Sequence, residues 1–432
     1  MQIEIPELCV VALIGVSSSG KSIFCKTHFK PTEVLSSDYF RALVSDDENN
    51  QKVTQQAFEA LYFIAEKRLE LGLLTVIDAT SVQQFARKQI LRLAKEHDCL
   101  AAAIILDISE NIIMERSKNR HDRDITEAII KKQINELRKT SIDQLKKEGF
   151  RYVYVLSNEE EIANVQITRI PLWNNKKDET GPFDIIGDIH GCYDELCELL
   201  IKLNYEVDAE NFCAKHPEGR KAVFLGDLCD RGFKSTEVLR LVMNMIQNSG
   251  AYCVAGNHDN RLQRKLNGRN VQLTHGLDRT AGQLDKESPE FIEKVKIFLD
   301  GLISHYIFDQ GKLVVAHAGI KEEYQGRSSG HVRNFCLYGA ATDETDEYGL
   351  PVRHPWAYEY HGKALVIYGH IPNEEVQSVN NTVCIDTGCV FGGKLTAFRY
   401  PEKVIVQVNA KQEYYPSLKP FKDKSSPNKS NL

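Results

Sequence analysis

In the stretch Phe183–Leu196, FDIIGDIHGCYDEL, an apolar run ends in Gly-Asp-Ile-His-Gly. Asp188 and His190 stand two residues apart, on one side of an extended chain, where a strand would stop. Four further clusters follow in order. FLGDLCDRG supplies Asp227, Asp230 and Arg231, VAGNHDN supplies Asn257 and His258, VVAHAG supplies His317, and IYGH supplies His370. Each cluster follows an apolar strand-like run, so all can meet at one sheet edge. Carboxylate, amide and imidazole ligands suit Mn²⁺, Fe²⁺, Zn²⁺ or Ni²⁺ rather than a thiolate zinc site. One assignment uses every cluster. Asp188 and His190 hold a first metal, Asp227 bridges, and Asn257, His317 and His370 hold a second. The chemistry is in-line attack on phosphorus by water acidified between two cations. His258 would protonate the leaving oxygen, Asp230 would orient that imidazole, and Arg231 would hold the phosphate. A single histidine is more often a hydrogen-bonded structural residue than a ligand. Five clusters in this order outweigh that reading, whereas His97, His216 and His305 have no such context and read as structural.

A second device lies near the N-terminus. Gly15-Val-Ser-Ser-Ser-Gly20-Lys21-Ser22 fits G-x-x-x-x-G-K-[ST] and follows an apolar run. The backbone from Gly15 through Ser17, Ser18 and Ser19 to Gly20 would wrap the phosphates of ATP. Lys21 would reach the β and γ phosphates, and Ser22 would hold Mg²⁺. A chance glycine–serine turn accounts for neither Lys-Ser at that spacing nor its flanks. Asp38 and Arg41 follow a second strand-like segment. Asp38 would accept the proton of an acceptor hydroxyl and Arg41 would steer an acceptor phosphate; equally, Ser36, Ser37 or Asp38 simply caps a helix. Arg116 and Arg120 are four apart and share a helix face, with Arg123 beyond them as a nucleotide contact. Such a run is usually a solvated face. Its position after a third strand, where kinases carry a lid, favours a clamp on the transferring phosphoryl group. Asp78 either supports the metal's water shell or merely ends a strand.

The elements that position these groups fall into two halves. CVVALIGV, LLTVIDAT, LAAAIILDI and RYVYVLS alternate with amphipathic stretches, which predicts an α/β P-loop kinase domain with a parallel sheet over 1–173. The polar segment 174–182, closed by Gly-Pro, reads as a linker. Residues 183–410 form the phosphoesterase half, and the lysine- and serine-rich end, 411–432, reads as a flexible basic tail. A chain of 432 residues, 42% hydrophobic and 26% charged, suits two globular domains. No apolar run is long enough for a membrane span, no signal peptide is evident, and eleven scattered cysteines suit a reducing compartment, so a cytoplasmic location is expected. A formal net charge of −6 argues against a general basic coat for nucleic acid.

The order GDIHG, GDLCDRG, GNHD, HAG, GH resembles the calcineurin-like metallophosphoesterases, which have a β-sandwich core flanked by helices. Joined to an N-terminal P-loop kinase, it resembles the bacterial polynucleotide kinase–phosphatases of RNA repair. TEVLSSDYFRALVSDDEN, LYGAATDETDEYGLPVRHPWAYEY and IDTGCVFGGKLTAFRYPE carry the narrower resemblance. It implies ATP- and Mg²⁺-dependent phosphorylation of a 5′-hydroxyl end, with Asp38 as general base and Arg41, Arg116 and Arg120 as charge clamps. It also implies removal of 2′,3′-cyclic, 2′ or 3′ phosphate with two metals, Mn²⁺ or Ni²⁺, and adds Asp386 to the site. Broken RNA or DNA ends would be the substrate, and a homodimer the assembly. Two departures stand out. Ser18 replaces a loop glycine of the family, and no Lys-x-Asp-Gly motif of a ligase is present. A separate RNA ligase and an RNA-end methyltransferase are therefore expected partners. The alternative is a small-molecule kinase fused to a phosphatase of proteins or dinucleoside polyphosphates.

Overall fold

The computed structural model describes residues 1–119, 126–348 and 351–417. The chain divides into two compact units, Met1–Leu172 with Arg327–Ser329, and Trp173–Gly326 with Gly330–Leu432.

The first unit is built on a five-stranded parallel sheet. Its order is Val34–Ser36, Thr75–Asp78, Cys9–Gly15, Leu100–Leu106, Tyr152–Leu156. The central strand, CVVALIG, is buried at every residue. That continuous apolar run is what a strand covered on both faces requires. Side chains alternate between the faces: Val10, Ala12 and Ile14 enter one core, and Cys9, Val11 and Leu13 the other. The phosphate loop leaves the C-terminal end of this strand and enters the helix Lys21–His28.

The second unit is a sandwich. One sheet has the order Tyr252–Cys253, Lys221–Phe224, Phe183–Ile186, Lys394–Tyr400, Val404–Asn409. The other has six strands, with Leu365–Tyr368 and Leu313–Ala316 at its centre. Phe183, Ile185, Val223 and Leu225 of the first sheet meet Leu313, Val315, Leu365 and Ile367 of the second in one apolar layer. Helices cover both outer faces, including Tyr193–Lys202 and Ser235–Ser249 on one side and Gly330–Tyr338 on the other.

Two boundaries differ from the sequence reading. Residues 174–182 are not a linker but part of the second unit. Asn175 and Lys176 pair with Ile307 and Phe308 at the sheet edge, and Lys221 donates its backbone N–H to the Pro182 carbonyl. Edge pairing needs only backbone groups, so a polar sequence hides it. Nor is all of 411–432 a free tail. Glu413 bridges Phe391, and Tyr414 is buried. The two tyrosines of KQEYYPS supply apolar area that the basic composition obscured; residues 418–432 lie outside the described residues. No helix among the described residues is long and apolar enough to cross a membrane.

Candidate active sites

In the second unit the apolar strands end and the chain turns abruptly. His190, Asp227, Asp230, Arg231 and His370 all have left-handed backbone, with φ of 47, 48, 73, 67 and 71°. Such positions cost non-glycine residues of order 1–3 kcal/mol each and persist only where the surroundings fix them. Five of them coincide with the candidate site. Two glycines make the turns close enough: a Cβ on Gly256 would collide with Asp227, and one on Gly369 with the Asp188 carboxylate.

His317 shows what these turns assemble. Its Nδ1 donates to the Leu225 carbonyl at 2.9 Å, which leaves Nε2 as a lone pair. That lone pair faces Asn257 Oδ1 at 3.0 Å, His370 Nδ1 at 3.0 Å and Asp227 Oδ2 at 3.5 Å. Ligand-capable atoms converge there, and among the described residues His370 Nε2 is buried without a hydrogen-bond partner. A divalent cation fits this donor set. Asp227, His317 and His370 have ligand atoms within 4.8 Å of one another.

A second group, also within 4.8 Å, comprises Asp227, His190 and His258. His190 Nδ1 donates to the Cys229 carbonyl at 2.9 Å, so Nε2 carries the lone pair; it lies 3.4 Å from Asp227 Oδ2 and accepts from Arg231 Nη1 at 2.7 Å. The Asp188 carboxylate accepts the His370 backbone N–H at 3.1 Å, and Asp386 lines the cleft with His190 and Asp227.

Burial sets the electrostatics. It pushes Asp227 up to about 7 and Asp386 to about 6, and it raises Asp188 further, with Asp386 and Asp227 as lesser causes. The same burial lowers His190, His317 and His370, keeping the imidazoles neutral as ligands must be. His258 Nδ1 meets Asp230 Oδ2 at 2.7 Å, and Thr280 Oγ1 donates to Asp230 Oδ1 at 2.8 Å. Burial lowers His258 and lifts Asp230 to about 7, and both shifts oppose a charged imidazolium–carboxylate pair.

Sequence reasoning missed several groups here. Asp259 accepts from Leu228 N and Gly256 N, both at 3.0 Å, and so ties two site loops together. Its signal was an acid in the first turn of the helix Asn257–Leu266, three residues after the capping Gly256. Arg261, His275 and Arg353 line the cleft of about 610 Å³ beside Arg231. Arg261 lies one helical turn beyond His258; Arg353 comes from the short strand Pro351–Arg353, inside a stretch that carries the resemblance but in which the sequence assigns no single residue a role.

In the first unit, Lys21 folds back over its own loop, donating to the Gly15 and Val16 carbonyls at 2.9 Å each. Ser22 Oγ donates to Asp78 Oδ2 at 2.9 Å, so the strand-ending carboxylate reaches the hydroxyl that the sequence reading assigns to Mg²⁺. Ser18 takes φ 66°, the conformation a glycine would adopt without strain, and Gly20 takes 97°. Ser17 N donates to Gln133 Oε1 at 2.8 Å, and Ser19 Oγ is buried without a hydrogen-bond partner. The helix Ser37–Ser45 has Ser36 at its cap without a side-chain cap bond; Asp38, in its first turn, pairs with buried Arg41, whose Nε donates to the Glu48 carbonyl at 2.8 Å. Arg116 pairs with Glu159, and its Nη1 lies 3.5 Å from the place a Cβ on Gly20 would occupy. Arg120 and Arg123 lie outside the described residues.

Comparison with known proteins follows this division. A family model described as AAA domain matches residues 10–140, and one described as calcineurin-like phosphoesterase matches 181–387. Curated relatives named asymmetrical bis(5′-nucleosyl)-tetraphosphatase PrpE match at similar levels. That of Halalkalibacterium halodurans is 46% identical, over 53% of this chain and 94% of its own length. Those of Bacillus velezensis and Bacillus subtilis are 47% and 45% identical, over 54% of this chain and 94% and 96% of theirs. A solved structure provisionally described as a diadenosine tetraphosphatase is 27% identical, covers 55% of this chain and 96% of that one, and has a TM-score of 0.41.

Proposed function

The chain belongs, through its second unit, to the calcineurin-like phosphoesterases, and on that premise we propose that it is an end-healing enzyme for broken RNA. One unit phosphorylates a 5′-hydroxyl with ATP, and the other removes a 2′,3′-cyclic, 2′ or 3′ phosphate. The observation that carries the reading is the pairing of a P-loop, Asp38 and Arg41 with a second, self-sufficient phosphoester site around Asp227.

In the P-loop unit Lys21 holds the β and γ phosphates of ATP, and Ser22 with Asp78 places Mg²⁺. Asp38 takes the proton of the 5′-hydroxyl as its oxygen bonds the γ phosphorus, and ADP leaves. Arg41 and Arg116 balance the charge spread over the transferring group. In the phosphoesterase unit Asp188, His190, Asp227, Asn257, His317 and His370 would hold two divalent metals of the Mn²⁺ or Ni²⁺ kind. When bound, these metals acidify water and neutralise phosphate charge. Arg231, Arg261 and Arg353 hold the phosphate oxygens. His258 passes the proton it shares with Asp230 to the leaving ribose oxygen.

A second reading rests on the name of the relatives and on those three guanidiniums in one cleft, which suit a polyphosphate as well as a single phosphate. Steady-state kinetics separates the two. With Mn²⁺, the full-length protein should favour an RNA ending in 2′,3′-cyclic phosphate over diadenosine tetraphosphate in kcat/KM. The opposite order would assign the second unit to dinucleoside polyphosphates and remove the end-healing role.

A further inference from the structure

The phosphoesterase cleft is lined by two chemically different sets of groups. Arg231, Arg261, Arg353 and His275 answer phosphate. Ile371, Pro372, Phe391, Tyr415 and Pro416 line the same cleft, and a phosphate group has no use for them.

Tyr415 is placed in the cleft lining by a segment held from several sides. Buried Glu195 accepts the Lys411 backbone N–H and the Tyr414 hydroxyl, both at 2.8 Å. The Val390 carbonyl accepts from Tyr414 N at 3.0 Å and from Tyr415 N at 3.1 Å. Arg279 donates to the Tyr414 carbonyl at 2.8 Å and to the Arg231 carbonyl at 2.5 Å. Its guanidinium lies 5.4 Å from the centre of the Tyr415 ring and 5.1 Å from that of Phe233. One arginine thus ties the backbone of Arg231 to the aromatic ring of Tyr415. The Tyr415 ring is half-buried and its position is fixed before any substrate arrives. A pre-set ring of this kind loses little entropy on stacking, and every nucleobase has a π face to offer it.

We propose that Tyr415 is the stacking platform for the nucleobase of the substrate whose phosphate lies at the Asp227 centre. The cleft therefore takes nucleoside phosphates in preference to the same esters without a base. This rests on the reading of the second unit as a nucleotide phosphoesterase, whether its substrate is an RNA end or a dinucleoside polyphosphate.

The test uses full-length protein with Mn²⁺, 2′,3′-cyclic AMP, and methyl riboside 2′,3′-cyclic phosphate, which is the same ester without the base. Tyr415→Ala should raise KM for cyclic AMP about tenfold, as loss of base stacking does, with kcat within about twofold. The base-free ester should change by less than about twofold, and Tyr415→Phe should behave as the unaltered protein because the ring remains. A fall on both esters alike would make Tyr415 merely structural, and no change on either would leave the base without a platform there; both results overturn the proposal. So does unaltered protein that turns over the two esters equally, although the phosphoesterase reading then stands. Protein that cleaves neither ester nor diadenosine tetraphosphate sinks that reading, and this inference with it.

Discussion

At the scale of single residues, the phosphoesterase centre is a cluster of acids and imidazoles that burial forces toward neutrality. Asp227 is pushed up to about 7 and Asp386 to about 6, while the imidazoles of His190, His317 and His370 are lowered. The protons that a metal must displace near neutral pH therefore sit on carboxylates rather than on histidines. Mn²⁺ affinity should be constant above pH 8, fall as pH drops through 7, and be accompanied by proton release. Titration calorimetry of the full-length protein in buffers of different ionisation enthalpy measures both. Affinity that stays level down to about pH 5, as for acids with ordinary values near 4, would contradict this electrostatic account. The clusters themselves were legible because each lies where an apolar run stops. Asp259 and Arg353 were not: one acts through loop amides 31 and three residues away, and the other sits in the stretch LYGAATDETDEYGLPVRHPWAYEY, where no metal-ligand spacing singles it out. Ser18 was legible as a substitution, and the structure adds that its backbone takes the glycine-like φ of 66°.

At the scale of elements, the loops after the strands do the chemistry, and buried side chains hold them in place. Arg87 is the clearest case in the P-loop unit. It is fully buried, pairs with Glu148 through two hydrogen bonds of 2.8 Å, and donates to the Val82 carbonyl at 2.7 Å, just beyond the strand that ends in Asp78. Removing one partner of a buried pair costs about 3–5 kcal/mol, so Arg87→Ala should destabilise this unit by that amount. Hydrogen bonding from Arg87 holds Glu148 below its ordinary 4.5. A depressed carboxylate contributes stability above its unfolded value and loses it as pH falls through the folded one. The penalty of Arg87→Ala should therefore be full at pH 7 and shrink below about pH 4.5. Urea denaturation, following the transition that ATP shifts, checks it; a penalty independent of pH would contradict the ion-pair account. Parallel strands were legible as continuous apolar runs such as CVVALIG. The edge strand Asn175–Lys176 was not, because it pairs through backbone alone, and the packed 411–417 segment was masked by the lysines around its two tyrosines.

At the scale of the whole molecule, an AAA-type P-loop unit and a calcineurin-like phosphoesterase unit share one chain. The proposed division of labour gives each unit one end of the same break, which removes the apparent conflict between adding and removing phosphate. The most direct measurement uses a single RNA with a 5′-hydroxyl and a 2′,3′-cyclic phosphate, with ATP, Mg²⁺ and Mn²⁺, and follows both ends together. Full-length protein should convert both. Lys21→Ala should abolish 5′ phosphorylation and leave 3′ release intact, and Asp227→Ala should do the reverse. An RNA left unchanged at both ends by the unaltered protein, while nucleosides or dinucleoside polyphosphates react, would contradict the account.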